Sequence, residues 1–266
     1  MKKYKFHLAE WEKNGFGGQD CEFLVCENKK ARYDGYQASK LFLNSAKGKY
    51  VVLVHEDSHP RMTKKALLKI LEDLEKLDPG WAMVGNAGIQ QEKMQFVNLG
   101  LAMPDALPSR AQPNYVKVGS LDENLLIVKA EARLCTSRDL AGFHLYGLDL
   151  CDLAHRMGYT CYVAKVDWYH DSHGKLDAEF CERVGHFENK MMAYRKQRIL
   201  GTTCTFLSWS SSPFFVAWAR AQAYWLLRKN KYHGQEERRA VWQAGRKEPL
   251  FLSAYFLLWL SKKIGL

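Results

Sequence analysis

The sequence predicts an α/β fold, a sheet with helices on its faces, followed by a section built of helices alone. Three observations carry that prediction. Short apolar strands alternate with helix-like segments over the first 170 residues. The segment Lys64–Leu77 has apolar residues at Ala66, Leu67, Ile70, Leu71, Leu74 and Leu77, a helical period, between two such strands. After Asp177 the strand-like runs stop and the charge balance changes. The 266 residues therefore divide into a body at 1–179 and a helical section at 180–266.

Taken in order, strands are expected at 22–26, Tyr50–Val54, Trp81–Gly85, Leu125–Lys129 and 160–165. Each is a short apolar run rich in β-branched or aromatic residues. The helix at Lys64–Leu77 stops at Asp78-Pro-Gly and completes a β-α-β unit. A second helix at 148–157 ends at Gly158 and feeds the last strand, repeating the pattern. Between them, 91–119 carries Gly100, Pro104, Pro108 and Pro113 and reads as an irregular insert of the kind that borders binding sites. In the second section, 180–200 reads as one charged helix, Pro213 opens a helix at 214–227, and Pro249 opens one at 250–264.

Composition narrows the function classes. A hydrophobic content of 47% without low-complexity tracts excludes a disordered or fibrous chain. Seven cysteines with no Cys-x-x-Cys pair, and a start lacking an apolar leader, lead us to expect a reduced, cytoplasmic protein without a thiolate zinc site. The net charge of +10 is unevenly placed: residues 1–181 carry 24 basic and 24 acidic side chains, residues 182–266 carry 15 and 5. Nucleic acid is not expected as a partner, because no helix-turn-helix, zinc-finger or RNA-binding signature accompanies the charge. The basic section instead interleaves its charges with large apolar residues. Phe214, Trp218, Ala221 and Trp225 fall on one helical arc, and Phe251, Tyr255, Phe256 and Trp259 precede Lys262 and Lys263. Arg220 and the two lysines keep both segments below the length needed to cross a bilayer. The expectation is a peripheral protein on the inner membrane face, the alternative being helices that pack on one another.

Three clusters carry chemistry. The strand at 51–54 ends in His55, Glu56 and Asp57, polar groups at the carboxyl edge of an open sheet, where α/β proteins bind ligands. Carboxylates there suit a hard divalent cation, Mn²⁺ or Mg²⁺, that bridges to a diphosphate; a solvated strand end is the alternative. His170 and His173 flank Asp171 just after the last strand, and either imidazole can supply a nitrogen ligand or remain an ordinary surface group. Asp149 sits near a helix N-terminus after Gly142 and Gly147, a place that suits a general base or a simple capping acceptor.

In order, Val-Leu-Val-His-Glu-Asp at 52–57, Trp-Ala-Met-Val-Gly-Asn-Ala-Gly-Ile at 81–89, Asp-Glu-Asn-Leu-Leu-Ile-Val at 122–128, Phe-His-Leu-Tyr-Gly-Leu-Asp-Leu-Cys at 143–151 and Tyr-His-Asp-Ser-His-Gly at 169–174 resemble the successive blocks of a GT-A glycosyltransferase of the family 2 type. The resemblance spans roughly 20–175. It implies a GT-A, Rossmann-like, mostly parallel sheet with helices on both faces. It implies a nucleotide-sugar donor held by Glu27, Asn28, His55, Glu56 and Asp57, with Asp57 and His170 or His173 on a divalent metal. It implies Asp149 as the base that deprotonates a saccharide or lipid-linked glycan acceptor, with inversion, in surface polysaccharide synthesis. Two departures accompany it. Gly147 stands where an Asp is frequent, and residues 1–20 leave room only for a shortened first strand at 4–9 without the usual nucleotide-contacting turn. Those departures make a degenerate GT-A domain, one that binds a nucleotide or a partner transferase without turnover, the competing expectation.

Overall fold

The computed structural model describes residues 2–26, 28, 32–103, 113–172, 176–193, 198–229 and 234–263. The chain divides into two units, Met1–His173 and Gly174–Leu266.

The first unit opens with helix α1 at Lys2–Lys13, where a shortened strand at 4–9 was expected. The helix ends because Gly15 takes the left-handed conformation, φ 82°, and the Phe16 N–H turns back to the Trp11 carbonyl. Residues 21–26 form no strand: among the described residues none makes a β-ladder with them, and Phe23, Leu24 and Val25 are exposed. Helix α2, Gly35–Ser45, starts from a capping box in which Asp34 accepts from the Gln37 N–H and Gln37 accepts from the Asp34 N–H. Strands β1 at Tyr50–Val54 and β2 at Ser58–Pro60 follow. Helix α3 covers Lys64–Leu77 as expected, capped by the Thr63 hydroxyl. Strands β3 at Trp81–Gly85, as expected, and β4 at Ala87–Gln90 follow; the insert at 91–119 then contributes strands rather than loop alone, β5 at Gln95–Asn98, β6 at Leu101–Ala102 and β7 at Tyr115–Lys117, and β8 at Ser120–Leu121 comes after it. The unit is completed by β9 at Leu125–Lys129, helix α4 at Tyr146–Arg156, β10 at Thr160–Ala164 and β11 at Trp168–His170.

The central sheet has the order β1-β9-β3-β10-β7. It is mixed, not mostly parallel: β1, β3 and β10 run one way, whereas β9, inserted between β1 and β3, and β7 at the edge run the other. The reason lies in the connection. The chain reaches β9 from β3 through short strands instead of a helical crossover, so it returns antiparallel. Helices do lie on both faces. Leu67, Leu71 and Leu74 of α3 pack with Val52, Leu125, Ile127 and Tyr162; on the other face Cys151 of α4 meets Cys161 of β10, and Gly147 lies against Leu126. Strands β3 and β9 are buried throughout, which is why they read as unbroken apolar runs.

The second unit is not all helical. Helix α5 covers Ala178–Met192, shorter than the helix expected at 180–200, and Arg198–Gly201 (β12) pairs antiparallel with Phe206–Trp209 (β13). The turn between them is closed by Thr202, whose N–H donates to the Thr205 carbonyl and whose hydroxyl accepts from the Thr205 N–H. Helices α6 at Pro213–Lys229, α7 at Gln235–Arg246 and α8 at Phe251–Lys263 follow, α7 being absent from the sequence expectation. Ala217 and Ala221 let α6 approach Phe251, Ala254 and Leu258 of α8, with Trp218, Trp225, Trp242 and Tyr255 around them. Of the aromatic arc of α6, Trp218, Ala221 and Trp225 therefore pack within the helical section, while Phe214 is exposed. Among the described residues no helix is long and apolar enough to cross a membrane.

A buried ion pair ties this unit together. Arg220 of α6 donates through both terminal nitrogens to Glu188 of α5, one bond measuring 2.9 Å, and Glu188 also accepts from the Ser208 N–H of β13 at 2.7 Å. Removing the arginine strands a buried carboxylate, which costs about 3–5 kcal/mol. Arg220→Ala is expected to lower the urea midpoint of unfolding accordingly, and Glu188→Gln/Arg220→Met, which leaves no unpaired charge, to restore most of the loss.

Candidate metal centre

The pairing of β2 with β11 assembles the site. Its register sets Ser58 opposite His170 and Pro60 opposite Trp168, so the residues just before β2 meet the residue that ends β11. Ser58 closes a tight turn, its N–H and hydroxyl both donating to the His55 carbonyl, and the Asp171 N–H donates to the Asp57 carbonyl at 3.1 Å. Trp168, fully buried, sends its indole N–H to the Ser58 hydroxyl, and Trp11 of α1 packs edge-on against it while donating to the Ser58 carbonyl. Two tryptophans thus hold the turn that carries His55 and Asp57.

There, His55, Asp57 and His170 offer one ligand atom each, all within 4.8 Å of one another. His170 Nε2 lies 3.2 Å from His55 Nδ1, 3.3 Å from Asp57 Oδ1 and 3.3 Å from the Ser172 hydroxyl. A ring nitrogen carries either one proton or one lone pair, so three polar neighbours exceed what it can hydrogen-bond. A cation among the three residues resolves that crowding by taking the imidazole and carboxylate lone pairs at once.

The protonation states suit the same end. The hydrogen bond from His170 holds the Asp57 carboxyl well below the usual carboxylate range against the opposing pull of burial. Burial, and then the neighbouring His170, push the His55 pKa down, which favours the neutral, ligating imidazole. Two nitrogens and one oxygen match Mn²⁺ and similar first-row ions better than Mg²⁺, which prefers an all-oxygen octahedron.

Behind the ligands stands a second layer that sequence reading did not single out. The Tyr146 hydroxyl, in the first turn of α4, lies 3.0 Å from His55 Nε2 and reaches toward the Glu123 carbonyl. The Glu123 carboxylate accepts from the Gly147 N–H at 3.0 Å, and a Cβ at 147 would sit 2.9 Å from Glu123 Cγ. The glycine makes room for that carboxyl. Burial raises the Glu123 pKa to about 8 despite the backbone N–H groups that oppose it. Glu123 and Tyr146 stand inside the 122–128 and 143–151 blocks, but nothing in the sequence marks either as a neighbour of His55.

The other expected site residues lie elsewhere. Asp149 is buried, 1% exposed, and its two oxygens accept from the Ser137 N–H and hydroxyl, both at 2.7 Å. It clasps the 130s loop to α4 instead of joining the cluster. Glu56 is exposed between the two ligands of the turn. Asn28 closes a local loop, accepting from the Tyr33 N–H and donating to its carbonyl. Glu27 and His173 lie outside the described residues.

The fold and site together define an α/β protein with a candidate two-histidine, one-aspartate metal centre at the carboxyl end of β1, an edge strand of the five-stranded sheet. The chain is 30% identical over 206 residues to "ATP synthase subunits region ORF 6" of Fuscovulum blasticum, a similarity covering 74% of this chain and 82% of that protein, and it belongs to the same family. No protein-family model matches it.

Calorimetric titration with Mn²⁺ or Co²⁺ tests the centre. His170→Ala, which removes the nitrogen at the point of convergence, is expected to weaken binding at least about 100-fold, the upper end of what even an outer-shell partner of a ligand is worth. His155→Ala, on the last turn of α4, is expected to leave it unchanged.

Proposed function

We propose that this chain is a metal-dependent glycosyltransferase of the GT-A, family 2 type, which moves a sugar from a nucleotide-sugar donor to a saccharide or lipid-linked glycan acceptor with inversion, in surface polysaccharide synthesis. The observation that carries the reading is the His55–Asp57–His170 cluster at the end of β1, the position where a diphosphate-bridging cation is useful. The ligand set favours Mn²⁺ over Mg²⁺. When bound there, the ion takes up negative charge on the departing diphosphate.

The remaining chemistry falls to side chains. A hydroxyl that attacks the anomeric carbon must give up its proton as the new C–O bond forms and the bond to the diphosphate breaks. Asp149 is committed to Ser137. Glu123 is the better acceptor of that proton: it stands at the α4 N-terminus, next to the tyrosine bonded to His55, with a pKa raised to about 8. Tyr146 orients His55 from behind, and the Gly35 N–H, bound to the Gly142 carbonyl, brings a residue without a side chain under the Tyr146 ring.

Two measurements test this. Purified protein incubated with a panel of nucleotide-sugars and Mn²⁺ is expected to hydrolyse at least one donor, and chelation to stop it. No turnover of any donor, with no binding of nucleoside diphosphate, overturns the reading; binding without turnover supports the degenerate domain instead. For the proton acceptor, a raised pKa means that the basic form of Glu123 accumulates as pH rises through about 8. Turnover is expected to rise over that interval, and Glu123→Gln to lower kcat by about 100-fold or more and flatten the profile while nucleotide affinity is kept. An unchanged profile in Glu123→Gln removes Glu123 from the mechanism.

A further inference from the structure

Helix α8 is apolar on two opposite faces, and the described residues cover only one of them. Phe251, Ala254 and Leu258 pack on α6 and are buried. On the other side Leu252, Phe256, Trp259 and Leu260 fall within an arc of about 100° and are 57%, 59%, 37% and 39% exposed. A helix apolar all round is normally enclosed, so this outer face calls for a cover.

The charge around the face suits an anionic cover. Lys262 and Lys263 close the helix, the Lys263 ammonium lies 4.7 Å above the Trp259 ring, and no acidic residue follows Glu248. Phe256 stacks with Trp259, so the tryptophan joins the apolar arc to the Lys263 ammonium. A second copy packed parallel on this face would bring the same lysines against each other, whereas anionic headgroups neutralise them. At 13 residues the helix is about 20 Å long, short of the roughly 30 Å of a hydrocarbon core, so it suits the interface and not a crossing.

We infer that the outer face of α8 docks the protein on an anionic lipid bilayer, with Leu252, Phe256, Trp259 and Leu260 in the headgroup boundary and Lys262 and Lys263 on lipid phosphates. The inference stands independently of the proposed reaction. It narrows the sequence expectation, which took in aromatic residues of both α6 and α8: Phe251 and Tyr255 pack internally, and the α8 face opposite them meets the lipid.

Co-sedimentation of the full chain with extruded vesicles tests it. Binding is expected to vesicles of phosphatidylglycerol and phosphatidylcholine, and to fall with added salt and with phosphatidylcholine alone. Phe256→Ser/Trp259→Ser and Lys262→Glu/Lys263→Glu are each expected to reduce it by roughly tenfold or more, with circular dichroism unchanged because the positions are exposed. Leu77→Ser, an equally exposed apolar residue of the first unit, is expected to bind as the wild type. Equal binding by the α8 variants and the wild type overturns the inference, as does failure of the wild type to bind. A dimer in lipid-free solution that Phe256→Ser/Trp259→Ser dissolves also overturns it, since a second copy would then be the cover.

Discussion

The candidate centre depends on one piece of backbone pairing, the antiparallel register between β2 and β11. His55 and His170 are 115 residues apart in the chain and become neighbours because Ser58 faces His170 and the turn before β2 is held from two sides. A register slip by one residue would carry His170 to the opposite face of its strand and dissolve the cluster. The buried indole of Trp168 opposes such a slip, since it fills the core beneath the turn and also binds the Ser58 hydroxyl. Side chains that never approach a ligand therefore decide whether one can be held.

Around that pairing the site separates its titrating groups. Asp57, facing an imidazole and the solvent edge, is pushed toward the ionised form; Glu123, closed in against the start of α4, is pushed toward the neutral one. Two carboxyls with opposite shifts are suited to different tasks, one to hold a cation and one to exchange a proton. The division comes from burial and partners rather than from residue type. The same rule explains Asp149, a carboxylate with good helix-start position whose oxygens are consumed by Ser137.

Much of the central sheet was legible in the chain. Tyr50–Val54, Trp81–Gly85 and Leu125–Lys129 form strands over the expected residues and Lys64–Leu77 forms the expected helix, because fully buried strands and a two-faced helix leave strong periodic signals. The misread segments lacked such signals. Residues 4–9 alternate well enough for a strand but continue as helix α1, anchored by Trp11 against Trp168. The hairpin of β12 and β13 hid behind a long charged stretch, and the antiparallel course of β9 is a property of its connection, not of its residues. Of the site, His55, Asp57 and His170 could be chosen as chemically apt, while Tyr146 and Glu123 could not, because nothing in their own neighbourhoods announces a partner 91 residues away.

By itself the sequence determined the apolar periods, and hence an α/β body, and it determined the charge imbalance that confines the excess of basic residues to the last 85 positions. Both are local or additive properties, readable without knowing which residues meet. The tertiary structure decided everything that depends on meeting: strand direction, which carboxylate is free and which is clasped, and which face of an aromatic helix is spent on its neighbour. Those outcomes turn on long-range pairing and on burial, and the α6 arc and the α8 face have much the same composition yet opposite fates.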